Sequence, residues 1–234
     1  MSIEKQALKL RSHVDEGLLR IVGAHFGPVD CELSGLSMSP AHRSVFEDCS
    51  FANVRVRKCT VGFPVFRRCV FDGLRADCLA CYGAAFVACR FSGLISGVNL
   101  GVDPGALPIS PSQARELYAE NERLQQACPF AIDVREAVLS DVGFVGPEIA
   151  RRVLFHPGQC IIYRGSDLQL KLRRALQETA DPGLQMALLP PVSPDHDLHL
   201  VALERGGSGE RLPEIRRIVA AAGVEMIEES MVRV

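Results

Sequence analysis

The sequence predicts a mainly β N-terminal half built as a solenoid, followed by a small α/β C-terminal domain, and three observations predict it. Four columns of residues recur at an interval of twenty: Phe46, Phe66 and Phe86; Cys49, Cys69 and Cys89; Phe51, Phe71 and Phe91; Val54, Leu74 and Leu94. Inside that interval every fifth residue is apolar or small, from Phe46 through Val56, Val61, Ala76 and Cys81 to Phe91, and the residue two before each is mostly so as well. A helix has a period near 3.6 and a flat strand a period of about 2, so a five nested in a twenty fits neither. It indicates turns that bury their inward side chains only by stacking on their neighbours. Third, beyond Gly146 the beat gives way to short apolar runs alternating with helical spacings.

Residues 1–18 carry helical spacing through Ile3, Leu8, Leu10 and Val14 and read as an N-terminal cap, which a solenoid needs. The solenoid proper is expected over 19–103. Its beat begins near Leu19 and Ile21, runs through Ala24 with Phe26 and Val29 with Cys31, weakens between Ser34 and Ala41, and is then continuous. Phe46, Cys49, Phe51, Phe66, Cys69, Phe71, Phe86, Cys89 and Phe91 form the expected structural core, and the inward but polar Ser44 and Ser96 are expected to bond to backbone. The Pro- and Gly-rich run Asp103 to Ser112 should interrupt the coil and open a helical insertion over 104–128. Its helix, Pro111 to Ala127, has Ala114, Leu117 and Leu124 on one side and Ser110 or Ser112 as N-cap. Over 129–146 the inward pair returns as Ile132 with Val134, Ala137 with Leu139, and Val142 with Phe144. This predicts an additional coil docked on the first block, a pair of ordinary strands being the alternative.

The region 147–234 reads as α/β. Strands are expected at Cys160–Tyr163, Gln185–Leu189, Leu198–Leu203 and Val224–Ile227, with helices at Asp167–Glu178 and Glu210–Ala222, the latter ended by Gly223. The order βαββαβ points to a ferredoxin-like sandwich.

The runs Cys49-Ser50-Phe51-Ala52-Asn53 and Cys69-Val70-Phe71-Asp72-Gly73 carry a family likeness. Over residues 19–101, and again over 130–145, the chain resembles the pentapeptide-repeat proteins; the C-terminal part shows no such likeness. The resemblance implies a right-handed quadrilateral β-helix with four pentapeptides per coil, a large apolar residue and a small one two before it pointing inward. The family's usual Asp or Asn between them is mostly replaced, by Ser50, Arg55, Thr60, Val65, Val70 and Arg90, so the repeats are degenerate.

Composition narrows the class without choosing a partner. The chain has 234 residues, 47% of them hydrophobic, enough for a core. A net charge of −2 and a pI near 6.3 argue against a generally basic nucleic-acid binder. Nine cysteines is an odd count, and Cys49, Cys59, Cys69, Cys81 and Cys89 fall on inward positions where a thiol acts as a small hydrophobe. Together with the charged N-terminal run from Glu4 to Glu16, this predicts a reducing cytoplasm and neither a signal peptide nor a membrane span.

The candidate sites are few. Glu47 and Asp48 lie twenty before Arg67 and Arg68 and should pair with them across rungs, whereas Arg55, Arg57, Lys58, Arg75 and Arg90 lack such partners and form a possible basic interaction patch. Asp195, His196, Asp197 and His199 are the densest group of metal-ligand types, but on a strand His196 and His199 would face opposite ways. Cys78 and Cys81 have half-site spacing without a second half, and Gly206 to Gly209 lacks a phosphate-loop signature. No catalytic residue, metal site or cofactor is expected. The reading is a non-enzymatic cytoplasmic binding or scaffold protein with a protein partner, such as a bacterial immunity or inhibitor protein. Two alternatives stay open. One, implied by the family, is a DNA mimic protecting a type II topoisomerase, which the mixed charge of the repeats disfavours. The other is a metal-binding protein or enzyme with its site around His196, Asp197 and His199.

Overall fold

The computed structural model describes residues 20–28, 30–31, 43–57, 59–102, 107–144, 152–156, 160–163, 168–177, 198–201, 212–223 and 226–227. The expected cap over 1–18, Lys58, the strand at 185–189, Asp195 to Asp197 and Gly206 to Gly209 lie outside them. The described residues up to 102 form a succession of strands: β1 (Arg20–Val22), β2 (His25–Phe26), β3 (Asp30–Cys31), β4 (Val45–Glu47), β5 (Ser50–Ala52), β6 (Arg55–Val56), β7 (Cys59–Gly62), β8 (Val65–Arg67), β9 (Val70–Asp72), β10 (Arg75–Tyr82), β11 (Ala85–Val87) and β12 (Cys89–Val102). After α1 (Pro111–Gln126) follow β13 (Ile132–Phe144), β14 (Val153–Leu154), β15 (Cys160–Tyr163), α2 (Leu168–Leu176), β16 (Leu198–Val201), α3 (Leu212–Ala221) and β17 (Met226–Ile227).

The molecule is mainly β, and among the described residues its N-terminal strands pair in parallel. One sheet runs β1-β4-β8-β11, with Ile21, Phe46, Phe66 and Phe86 in register. A second ladder aligns Phe26, Phe51, Phe71 and Phe91, a third Cys31, Val56 and Ala76, and a fourth Val61, Cys81 and Leu100. The first step is twenty-five residues rather than twenty, Ile21 opposing Phe46 and Phe26 opposing Phe51, which is where the sequence beat weakens.

Aromatic rings stack along these ladders. Centroids are 5.1 and 5.3 Å apart in Phe46–Phe66–Phe86, and 4.7, 4.7 and 4.6 Å in Phe26–Phe51–Phe71–Phe91. The two columns meet edge to face, Phe66 lying 5.4 Å from Phe71 at 77°. Cysteine suits the neighbouring inward position because its thiol is small and donates weakly. Cys69 Sγ reaches Phe46 O at 3.4 Å and Cys89 Sγ reaches Phe66 O at 3.3 Å, the same bond one rung apart. Between ladders the chain turns through the left-handed region, which costs a non-glycine residue about 1–2 kcal/mol. Asp48, Arg68 and Ala88 do so in one column with φ of 52°, 50° and 54°.

One column departs from the twenty-residue rule. Leu94 is only half-buried and Ile95 is fully buried, because Arg75 opposes Ser96 rather than residue 95. The inward place expected of Leu94 therefore belongs to Ile95, and Ser96 shifts into line with Arg55 and Arg75. The step then shortens to nineteen from Leu79 opposite Val98 through Cys81 opposite Leu100, and it returns to twenty at Tyr82 opposite Val102. Gly97 lies in the slip: its φ is +67°, and a Cβ there would lie 1.9 Å from Ala76 O.

β13 pairs in parallel with β12 along its length, burying Ile132, Val134, Ala137, Leu139 and Val142. β14 in turn pairs in parallel with β13, and Val153 and Phe155 join the same core, so the parallel stack extends past Gly146. The C-terminal part has a three-stranded antiparallel sheet ordered β16-β15-β17. Helices α2 and α3 pack on each other, burying Leu172 and Leu176, and Ile215, Ile218 and Val219. Gly223, at φ 64°, terminates α3. None of the described helices is long and apolar enough to cross a membrane.

Candidate functional site

The parallel ladders sort side chains into an inward set without chemistry and an outward set of charges. All nine expected core residues, Phe46, Cys49, Phe51, Phe66, Cys69, Phe71, Phe86, Cys89 and Phe91, are buried. Burial pushes the Cys89 thiol well above its ordinary range and raises Cys49, so neither is a ready nucleophile. Cys81 is buried, and the Cys78 side chain lies outside the description.

Outward, the acidic pair at 47 and 48 forms a network with arginines on both sides. Arg68 donates to Asp48 at 2.7 Å and to Glu47 at 2.8 Å, and Arg20 donates to Glu47 at 2.6 Å. Hydrogen bonds from Arg20 and then Arg68 hold the Glu47 carboxyl below the usual range, and those from Arg68 do so for Asp48. Arg67 opposes Glu47 in register, but Arg68 carries the ion pairs.

The proposed patch divides. Arg55 and Arg75 are direct neighbours in register on the third ladder, both exposed, and Arg57 is exposed two residues on from Arg55. Arg90 lies on the second ladder, opposite Asp133. Arg55 and Arg90, expected to lack partners, have them: Arg55 approaches Asp77 at 3.6 Å, and Arg90 is close enough to influence Asp133. Burial pushes the Asp133 carboxyl up, but hydrogen bonds from Arg135 and the charge of Arg90 outweigh it and bring it below the usual range.

Sequence reasoning missed a polar junction where α1 meets the stack. Arg43, of a residue type that ordinarily faces water, is 5% exposed; its Nε donates to Phe63 O at 3.0 Å, its Nη2 to Gly83 O at 3.3 Å, and Glu120 of α1 lies 3.4 Å from its Nη1. Burial draws the guanidinium pKa down and Glu120 opposes it. Positions 43, 63 and 83 are one column, so the side chain runs along the stack and ties rungs together. Asn121 is 6% exposed and Gln125 is 1% exposed, on the face of α1 that also buries Leu117. Ser44, 1% exposed, has no partner for its Oγ among the described residues, where a backbone bond was expected. The available signal was the spacing of Leu117, Asn121 and Gln125 by four, which puts two amides on the helix's buried line.

Of the metal-type cluster only His199 is described, on β16 opposite Ile162; among the described residues no group of three His, Cys, Asp or Glu could hold a metal ion. No family model, curated protein or solved structure matches the chain.

Proposed function

We propose that residues 20–102, with β13 and β14, form a right-handed four-sided β-helix of the pentapeptide-repeat kind, and that it serves as a non-enzymatic protein-binding scaffold in the cytoplasm. The twenty-residue register shared by the ladders supports the coil. The antiparallel order β16-β15-β17, with two helices packed together, supports a ferredoxin-like partner unit. The observation that carries the function is the exposed pairing of Arg55 with Arg75. Like charges directly opposite each other on adjacent strands are unfavourable; Asp77, 3.6 Å from Arg55, offsets part of this within the fold, and an acidic protein surface would offset the rest. Outward charges of both signs on the remaining ladders do not favour mimicry of a polyanion.

The test is affinity capture with the full chain and with Arg55→Glu/Arg75→Glu. The expected result is a specific partner retained by the native chain and lost by the variant, whose circular dichroism is unchanged. A partner held equally well by the charge-reversed chain contradicts this reading, as does the absence of any specific partner.

A further inference from the structure

In the first ladder each rung closes a carbonyl of the rung below with a backbone N–H: Val65 N donates to Ser44 O at 2.8 Å and Ala85 N to Pro64 O at 2.9 Å. The next carbonyl in that column is Ala84 O, and it is met by the side-chain amide of Asn121 at 3.5 Å, which also donates to Gly83 O at 3.1 Å. At the far end of the rung, Asp48 N to Arg67 O and Arg68 N to Val87 O are continued by Ala88 N to Phe130 O at 3.1 Å, just after α1. The helix thus lies against β11, where the ladder's next strand would lie, and one of its amides replaces a backbone donor. Covering a sheet edge with a helix is a known protection against strand addition.

This cover is imperfectly bonded. Ser44 Oγ, Asn121 Oδ1 and both amide atoms of Gln125 are buried without a hydrogen-bond partner among the described residues, and such groups weaken the contact that buries them. A strand carrying a phenylalanine above Phe86 would continue the Phe46–Phe66–Phe86 stack in their place. The helix is meanwhile self-sufficient: Ser110 and Gln113 form a reciprocal capping box and Pro111 opens the first turn.

We propose that α1 is a removable stand-in for a strand, and that the edge Ala85–Val87 beneath it accepts an extended peptide bearing an aliphatic residue followed by phenylalanine, added in parallel. The proposal rests on the scaffold reading and locates one contact surface for it. Displacing α1 exposes the carbonyl of Ala84, which the incoming backbone takes over from Asn121, while Gly83 O keeps its bond from Arg43 Nη2.

The probe is a labelled peptide of residues 62–68, whose Val65-Phe66 pair already occupies this ladder, titrated into the full chain and into Leu117→Ala and Asn121→Ala. Each substitution loosens α1 and enlarges the acceptor-competent fraction, so the apparent affinity rises about tenfold or more over the native chain. Hydrogen exchange then shows protection gained at Phe86 and lost along α1 on binding. Two variants are used so that the test survives the unfolding of one; circular dichroism identifies the folded one. No saturable binding to a folded variant overturns the proposal. So does an affinity indifferent to both substitutions, or equal binding of the peptide with Phe66→Asp. Capture of a native partner through Arg55 and Arg75 without peptide binding leaves the scaffold reading standing and removes this one alone.

Discussion

Phe66 is in contact with four other rings, Phe46 and Phe86 along its own column and Phe51 and Phe71 across the core, so it has no room to be replaced without a void. Truncation to Phe66→Ala is expected to cost about 3–5 kcal/mol, read from the shift in urea midpoint, whereas Val70→Thr on the exposed side should stay within about 0.5 kcal/mol. Gly97→Ala should cost at least about 2 kcal/mol, since the new Cβ meets a backbone oxygen and φ is positive. The surface network titrates. Glu47 and Asp48 have native pKa values below their unfolded values of about 4.3 and 3.9, so their contribution is complete above those values and is lost as pH falls through the lower native ones. Thermal unfolding of Arg68→Ala should therefore depend less on pH below about 4.5 than that of the native chain; an identical acid profile contradicts the assignment.

At the scale of elements, α1 is where the sequence was least informative about packing. Its existence and its cap are visible in Ser110, Pro111 and the spacing of Ala114, Leu117 and Leu124. Its buried line is not, because Asn121 and Gln125 are residue types that ordinarily face water. The ladders were legible for the opposite reason: each rung is too short to bury anything alone, so the inward column must repeat. Where the coil slips, at Leu94 and Ile95, both residues are aliphatic and composition cannot choose between them; the register shift at Ser96 does. Arg43 was illegible because its role depends on carbonyls twenty and forty residues away. Replacing it by Arg43→Met should loosen α1, seen as faster amide exchange along 112–126 with little change at Phe66. Uniform acceleration throughout would show instead that Arg43 supports the whole stack.

At the scale of the molecule, a stack of parallel rungs is a quasi-linear object whose stability is the sum of its contacts between neighbours. Its inward column is phenylalanine and thiol and its outward columns are mixed charge, and the two contact surfaces proposed for it lie on the outside and at the covered edge. The antiparallel C-terminal part adds a second sheet, whose β16 packs beside β13. All of this depends on the alignment of rungs at twenty-residue intervals. The direct measurement is a nuclear Overhauser map of the phenylalanine ring protons. The account predicts contacts from Phe51 to Phe71 and from Phe71 to Phe91, whose centroids are 4.7 and 4.6 Å apart, and none from Phe51 to Phe91. Absence of the first two, or rings of the two columns exposed to solvent, would contradict it.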